Sequence, residues 1–410
     1  MNECIPLRCL YVDFNSYFAS VEQQLQPQLR GRPVGVLPVM AETTCCIAAS
    51  YEAKACGVKT GTPAYEARKR CPGIILVEAR PPLYVEMHHR LVATVDSCTP
   101  VGQVLSIDEM SCPLTGSDQQ RDKALALAKH IKQIIATQVG AHLRSSIGIA
   151  PNTFLAKIAS NMQKPDGCTV IEHHQLPARL YPLKLRDIHG VGRALESRLW
   201  QHGITTVEQL CNANAAMLRT AWGSIEGERM HAKLRGEEVL TPASRRASVS
   251  HSHVLPPELR HAAAAYSVLH RLLQKAATRL RSYALIAGNL HVRITYGEAN
   301  WSADQRIDPT DDTLAFLHAL DVLWRQRPKT RARPTAVGIA LTALDDLQNR
   351  PRSLFEREDG HDRLNATIDA INLRYGKKSL YFGGAHRALE AAPMRIAFQH
   401  IPDLVVESDE

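Results

Sequence analysis

The 410-residue chain carries 49 Lys plus Arg against 41 Asp plus Glu, and 45% of it is hydrophobic. That content excludes a disordered or fibrous chain and is enough for two to four domains with their own cores; no stretch has the length of a membrane span or the layout of a signal peptide. The ten cysteines show neither a CxxC ladder nor Cys/His ligand spacing, so they read as reduced thiols of a cytosolic protein, and the net charge of +8 permits a polyanionic partner.

In chain order, Cys9–Val12 is a short buried-strand pattern that runs into Asp13. A helix is predicted from Ser16 to Leu29 and a strand over Val34–Leu37. Ile47–Lys54 reads as a strand entering a helix that Cys56-Gly57 ends in the manner of a glycine C-cap, and Lys59 to Pro63 leads into a short helix. Tyr51, Lys54 and Lys59 would cluster there as a triphosphate site requires, the alternative being a solvated lysine surface. Pro82 to Val95 is helical in pattern.

The apolar run Val104 to Met110 ends on adjacent carboxylates, Asp108 and Glu109. Neighbouring side chains of a regular strand point to opposite faces, so both acids can serve one site only where the pleat breaks, at a hairpin or bulge. If this hairpin, spanning Val101 to Pro113, lies beside the Asp13 strand, three carboxylates converge. They repel one another unless divalent cations neutralise them, and all-oxygen ligation favours Mg²⁺. Two such ions are the usual device for in-line nucleotidyl transfer; the alternative is a solvated turn after an edge strand.

Ala124, Leu127, Ala128, Ile131, Ile134 and Ile135 repeat at helical spacing. Leu143 to Ala150 is a strand, Asn152 can cap a helix that ends near Gln163, and Lys164–Gly167 is a turn by its proline and glycine. Further on, Gly190 and Gly192 lie between short helical segments, as in a helix-hairpin-helix. Such glycines let backbone N–H groups approach a phosphate whatever the base sequence, although a glycine C-cap between packed helices would read the same.

Gly236 to Ser244 is a polar tether, and the following stretch is basic, with Arg245, Arg246, Arg260, Arg271, Lys275, Arg279 and Arg281 opposed only by Glu258. Strand patterns at Ser248–Leu255, Leu290–Tyr296, Ala299–Ile307 and Thr335–Thr342, with helices between, give β-α-β-β-α-β. One sheet face would then present His291, Arg293 and Thr295 to a nucleic-acid backbone, or simply to water. Asp362 to Tyr375 is helical in pattern, and residues after about 386 read as a mobile extension with an acidic end.

Val12–Glu22, Tyr51-Glu-Ala-Lys54 with Gly57-Val-Lys59, Ser106–Glu109, Gly148–Asn152 through Leu155–Ser160, and Lys164–Gly167 occur in the order seen in Y-family translesion DNA polymerases. The chain resembles the DNA polymerase IV and UmuC-like branches of that family over roughly residues 8 to 385. The resemblance implies an α+β multidomain right-hand polymerase. Its palm would be residues 1–15 and 80–171, small fingers 16–79, a helical thumb with the helix-hairpin-helix 172–240, a linker 241–247, a β-α-β-β-α-β little finger 248–345, and a C-terminal extension 346–410.

By position it also implies Asp13, Asp108 and Glu109, with the Phe14 carbonyl, as ligands of two Mg²⁺ ions, Mn²⁺ being an alternative. Phe18 would be the steric gate against a ribose 2′-hydroxyl, and Tyr51, Lys54 and Lys164 would contact the incoming triphosphate. Gly190, Gly192 and Arg293 would contact DNA. Lys54 stands where arginine is usual, and Asn15 where many members carry a second aspartate. Arg352–Phe355 resembles a degraded sliding-clamp peptide. The implied function is template-directed, low-fidelity lesion bypass in DNA repair and the SOS response to DNA damage, in the cytoplasm. A catalytically silent, DNA-binding subunit that recruits a partner is the alternative, and a palm-bearing nucleotide cyclase is a third reading, which the hairpin glycines and basic C-terminal region oppose.

Overall fold

Six consecutive buried residues make β1 (Cys9–Phe14) the middle strand of a sheet. Tyr11, Val12 and their neighbours are covered on both faces, which is why this strand reads as an apolar run without alternation. The computed structural model describes residues 5–42, 44–239, 245–351, 360–391, 393–394, 396 and 401–404. By its internal contacts the chain divides into two units, Met1–Thr241 with Ala397–Ile401 and Pro242–Ile396 with Pro402–Glu410.

In the first unit β1 leads into α1 (Tyr17–Leu25). The expected helix is longer than the observed one; Pro27 has no N–H to continue the ladder, and a single 3₁₀ turn, Pro27–Leu29, replaces the last turn. A small sheet follows, built from β2 (Val34–Leu37), β3 (Ala48–Ala49) and β4 (Ile75–Glu78) in the order β3-β2-β4. Between its strands lie α2 (Tyr51–Ala55) and α3 (Ala64–Arg70), over a core that includes Leu37, Ala53, Val58, Ala67 and Leu76.

The chain then returns through α4 (Pro81–Asp96) to β5 (Gln103–Ser106) and β6 (Glu109–Pro113), followed by α5 (Arg121–Gln138), β7 (Ser145–Ala150), α6 (Thr153–Met162) and β8 (Cys168–Val170). The strand order is β5-β6-β1-β7-β8, with β1 antiparallel to both neighbours. β5 is the sheet's edge, and Val104 on it is 38% exposed. An edge strand has only one partner, so its apolar residues need no second layer.

α6 starts at Asn152, whose side chain accepts from the Leu155 N–H at 2.8 Å, and it packs directly on β7. A Cβ on Gly148 would lie 1.9 Å from the Ala156 carbonyl oxygen and 2.4 Å from the Ser160 nitrogen, so only glycine permits this approach. Helices α7 (Arg193–Gln201), α8 (Val207–Asn212), α9 (Ala215–Trp222) and α10 (Glu226–Lys233) complete the unit around Leu185, Ile188, Leu199, Leu210 and Leu218.

The second unit runs β9 (Val249–Val254), α11 (Ala262–Ser282), β10 (Leu285–Tyr296), β11 (Ala299–Thr310), α12 (Thr313–Gln326) and β12 (Ala336–Asp346), which is the expected β-α-β-β-α-β order. Its antiparallel sheet, β11-β10-β12-β9, turns Leu290, Val292, Ile294, Val337, Ile339 and Leu341 onto the two helices.

Two sequence readings of this unit need revision. The basic run on α11 is not one outward patch: Arg271 and Arg279 are 4% and 8% exposed, and Arg281 pairs with Asp369 at 2.6 Å. Asp369 lies on α13 (Gly360–Tyr375), some ninety residues away, so local charge counting missed it. Nor do the residues after 386 begin a free extension. The turn Gly383–Ala388 packs on α11, Ser267 donates to the Gly384 carbonyl at 2.7 Å, and Ala388, Ala391 and Met394 are buried. These contacts use small and polar residues, which leave no apolar period to read. The Arg352–Phe355 peptide lies outside the described residues.

The Gly148 contact predicts that Gly148→Ala forces α6 off the sheet. The expected cost is about 1–3 kcal/mol, the scale of overpacking a filled core. A urea midpoint unchanged from the native protein would contradict the packing described.

Candidate active site

Asp13 is the last-but-one residue of β1 and faces Glu109, its cross-strand partner on β6. β5 and β6 form a hairpin whose turn is Ile107-Asp108, and a register shift between Val104 and Ser106 breaks the pleat beside it. That break lets the adjacent acids serve one rim, as the sequence requires. The Phe14 N–H donates to the Asp108 carbonyl at 2.9 Å, tying the turn to β1. Thus Asp13, Phe14, Asp108 and Glu109 come together at one edge of the sheet.

The acids are held by cations of the chain itself. Lys164 places its ammonium 2.6 Å from Asp13 Oδ2. Lys157, on α6, donates to both Glu109 oxygens at 2.5 and 2.6 Å and lies 3.2 Å from the Tyr11 hydroxyl. Ser106 donates to Asp108 Oδ1 at 2.6 Å.

Even so, the charges are not fully compensated. Burial pushes the Asp13 carboxyl up to about 7, against the pull of Lys164, and the neighbouring Glu109 and Asp108 push it further. Burial also raises Asp108 despite Ser106. Glu109 is subject to burial too, but the Lys157 hydrogen bond and charge bring it below the ordinary glutamate value.

Among the described residues, no three His, Cys, Asp or Glu side chains stand ready-made around one point as a metal cage. The donor chemistry nevertheless fits a hard divalent cation: three carboxylates beside one another, Asp13 buried and Asp108 and Glu109 half-buried. The two ammonium groups occupy the charge role that such a cation would take.

Tyr51 and Lys54 lie close by. Lys54 Nζ sits 4.3 Å from the Tyr51 ring centre and donates to Ser16 Oγ at 2.7 Å. Burial and then the charge of Lys164 lower the Lys54 pKa, and Asp13 raises it. Tyr51 in turn feels the charge of Asp13. Lys59 does not join this group through any contact seen here; it lies exposed in the turn closed by its own N–H to Thr62 Oγ1.

Phe18 is 1% exposed and stacks on Tyr84 with ring centres 4.7 Å apart. Gly190, at φ +88°, and Gly192, the N-cap of α7, are exposed where the backbone turns between helices. Arg293, in the second unit, is exposed and donates to Asn300 Oδ1 at 3.0 Å.

Sequence reasoning missed Lys157, Tyr11 and the work of Asn15. A lone lysine within Thr153–Met162, an otherwise apolar helix, was the available signal for Lys157. Asn15 faces away from the acids: its Oδ1 accepts from the Asp166 N–H at 2.7 Å and its amide donates to Ser146 at 3.0 Å. With Lys132 on Asp166 Oδ1 at 2.9 Å, it fixes the turn that carries Lys164.

The Asp13 shift has a sign for stability. A carboxyl held near 7 when folded but near 3.8 when unfolded keeps its proton more tightly in the fold, so its contribution is fullest below about 3.8 and is lost as pH climbs to about 7. Urea unfolding without divalent metal should therefore show a midpoint that falls between pH 5 and 7.5 in the native protein and a flatter profile in Asp13→Asn; equal slopes would contradict this assignment.

No described helix is long and apolar enough to cross a membrane. The impB/mucB/samB family model matches residues 12–161, and the impB/mucB/samB family C-terminal domain model matches residues 246–354. The chain is 33% identical to the DNA polymerase IV of Moorella thermoacetica over 93% of this chain and 96% of that protein. It is 29% identical to DNA polymerase IV 1 of Bacillus subtilis over 95% of each. Among solved structures, a Y-family DNA polymerase chimera of Dbh and Dpo4 matches with a TM-score of 0.71 at 24% identity, over 83% of this chain and 99% of that one. An insertion ternary complex of Dbh DNA polymerase matches with a TM-score of 0.55 at 25% identity, over 82% and 98%.

Proposed function

The chain belongs to the Y family of DNA polymerases, and from that membership we propose that it extends a DNA primer on a template and synthesises past damaged bases. It is a DNA-directed DNA polymerase with the α+β, multidomain right-hand fold of its family. The observation that carries the reading is the meeting of Asp13, Asp108 and Glu109 on one sheet rim, with Lys164 against Asp13.

Residues 1–15 and 80–171 act as palm, 16–79 as fingers, 172–240 as thumb, 241–247 as linker, 248–345 as little finger and 346–410 as the C-terminal region. Asp13, Asp108, Glu109 and the Phe14 carbonyl would hold two Mg²⁺ ions, with Mn²⁺ as a substitute, and the chemistry supplied there would be a lower pKa for the primer 3′-hydroxyl and a counter-charge for the departing pyrophosphate.

The remaining work falls to the chain. Asp13 would serve the ion as its carboxylate, and Lys164, now paired with Asp13 at 2.6 Å, would then be free to bind the triphosphate. Lys54 and the Tyr51 hydroxyl bind the same phosphates; Lys54 does so as a point charge, without the paired hydrogen bonds an arginine would supply. Phe18 closes the space beneath C2′ of the sugar. The exposed Gly190 and Gly192 backbone and Arg293 contact DNA phosphates without reading bases. A sliding clamp is a further proposed partner through Arg352–Phe355. The cytoplasm is the proposed compartment, in keeping with nine described cysteines that are all free thiols.

Primer extension with Mg²⁺ and four deoxynucleotides tests the reading. The native protein should extend an undamaged primer, and Asp108→Ala should lose more than about a hundredfold, the upper end of what losing even an outer-shell metal partner costs. Intact DNA binding with no extension by the native protein would instead favour the silent, partner-recruiting reading.

A further inference from the structure

Glu22 is wholly buried, and nothing in the polymerase reaction calls for a carboxylate there. It lies one helical turn after Phe18 on α1, so the two side chains share a face of that helix. That face meets the start of α4. Arg80 donates to Glu22 through Nε at 3.1 Å and Nη2 at 2.5 Å, Tyr84 Oη donates to Glu22 Oε1 at 2.8 Å, and Gln26 donates to Oε2 at 2.7 Å.

The Phe18 ring lies against the Tyr84 ring at 4.7 Å, with 24° between their planes. Tyr17 donates to the Tyr84 carbonyl at 2.7 Å, so Tyr84 is held by its backbone, its hydroxyl and its ring face.

A stacked ring pair resists separation but slides easily in its own plane, because dispersion is not directional. A hydrogen bond to a buried charge has a defined direction, and breaking it leaves that charge unpaired. The carboxylate therefore supplies the lateral constraint that the stack lacks. The distinction between ribose and deoxyribose turns on one hydroxyl, and a shift of about 1 Å in a positioning group is enough to change reactivity by orders of magnitude.

We propose that buried Glu22, paired with the half-exposed Arg80 and acting through Tyr84, positions Phe18 and so sets how strongly the enzyme prefers deoxyribonucleotides over ribonucleotides. This rests on Phe18 being the gate. Glu22, Arg80 and Tyr84 are positioning residues: they touch the gate and its support, and the sugar feels them only through Phe18. The carboxylate is retained in a wholly buried place because it orients a ring.

The test compares kcat/KM for a ribonucleotide and the matching deoxyribonucleotide in the native protein, Phe18→Ala, Glu22→Gln, Tyr84→Phe and Tyr84→Leu, with melting temperatures recorded alongside. Phe18→Ala should raise the relative use of ribonucleotide most. Glu22→Gln and Tyr84→Phe should raise it about three- to tenfold, the worth of one oriented aromatic contact, and Tyr84→Leu at least as much. A merely structural role would lower both substrates together and leave the ratio unchanged. Tyr84→Phe keeps the buried ring, so its ratio decides the matter should Tyr84→Leu fail to fold. A changed ratio in Phe18→Ala with unchanged ratios in Glu22→Gln and Tyr84→Phe would overturn the inference alone. An unchanged ratio in Phe18→Ala would overturn the gate assignment and this inference with it.

Discussion

Three carboxylates on one buried sheet rim cannot all stay charged without a cation beside them. In the protein alone that cation is supplied twice from within, by Lys164 on Asp13 and Lys157 on Glu109, and the remaining strain appears as a proton that Asp13 holds up to about 7. Much of the first unit serves this balance. β1 lies centrally, so Asp13 is presented from a rigid strand; the β5–β6 turn brings Asp108 round to the same edge. Gly148 lets α6 approach until Lys157 reaches Glu109, and Asn15 with Lys132 pins the turn that offers Lys164.

The two lysines differ in what surrounds them. Lys157 also contacts the Tyr11 hydroxyl and comes from the middle of a helix packed on the sheet, a fixed counter-charge. Lys164 comes from a short turn and contacts Asp13 by one oxygen, an arrangement that can be exchanged for phosphate oxygens at little cost in packing. A divalent cation taken up at this rim would have to displace the proton on Asp13, so its uptake would be coupled to proton release.

The meeting of Asp13, Asp108 and Glu109 was legible in the sequence because apolar strands that end on carboxylates are unusual, and the β-α-β-β-α-β order was legible because strand and helix periods alternate cleanly from Ser248 onward. Other features were not. The arginines of α11 announce charge but not direction: Arg271 and Arg279 are buried, and Arg281 pairs with Asp369, on a helix far along the chain. Residues 383–391 dock through Gly384, Ala385 and Ala388, whose smallness is itself the fit: a Cβ on Gly384 would fall 2.4 Å from the His270 ring. Lys157 carried no sign of its partner in the sequence because that partner, Glu109, lies 48 residues away.

The most direct test of the account is calorimetric: the number of protons released when Mg²⁺ and a non-hydrolysable deoxynucleoside triphosphate bind at pH 6.5 to 7, read from the heats in buffers of different ionisation enthalpy. The account predicts net proton release by the native protein that disappears in Asp13→Asn, since the proton held on Asp13 must leave before a cation is accepted. Binding with no proton release from the native protein, or undiminished release from Asp13→Asn, would contradict it.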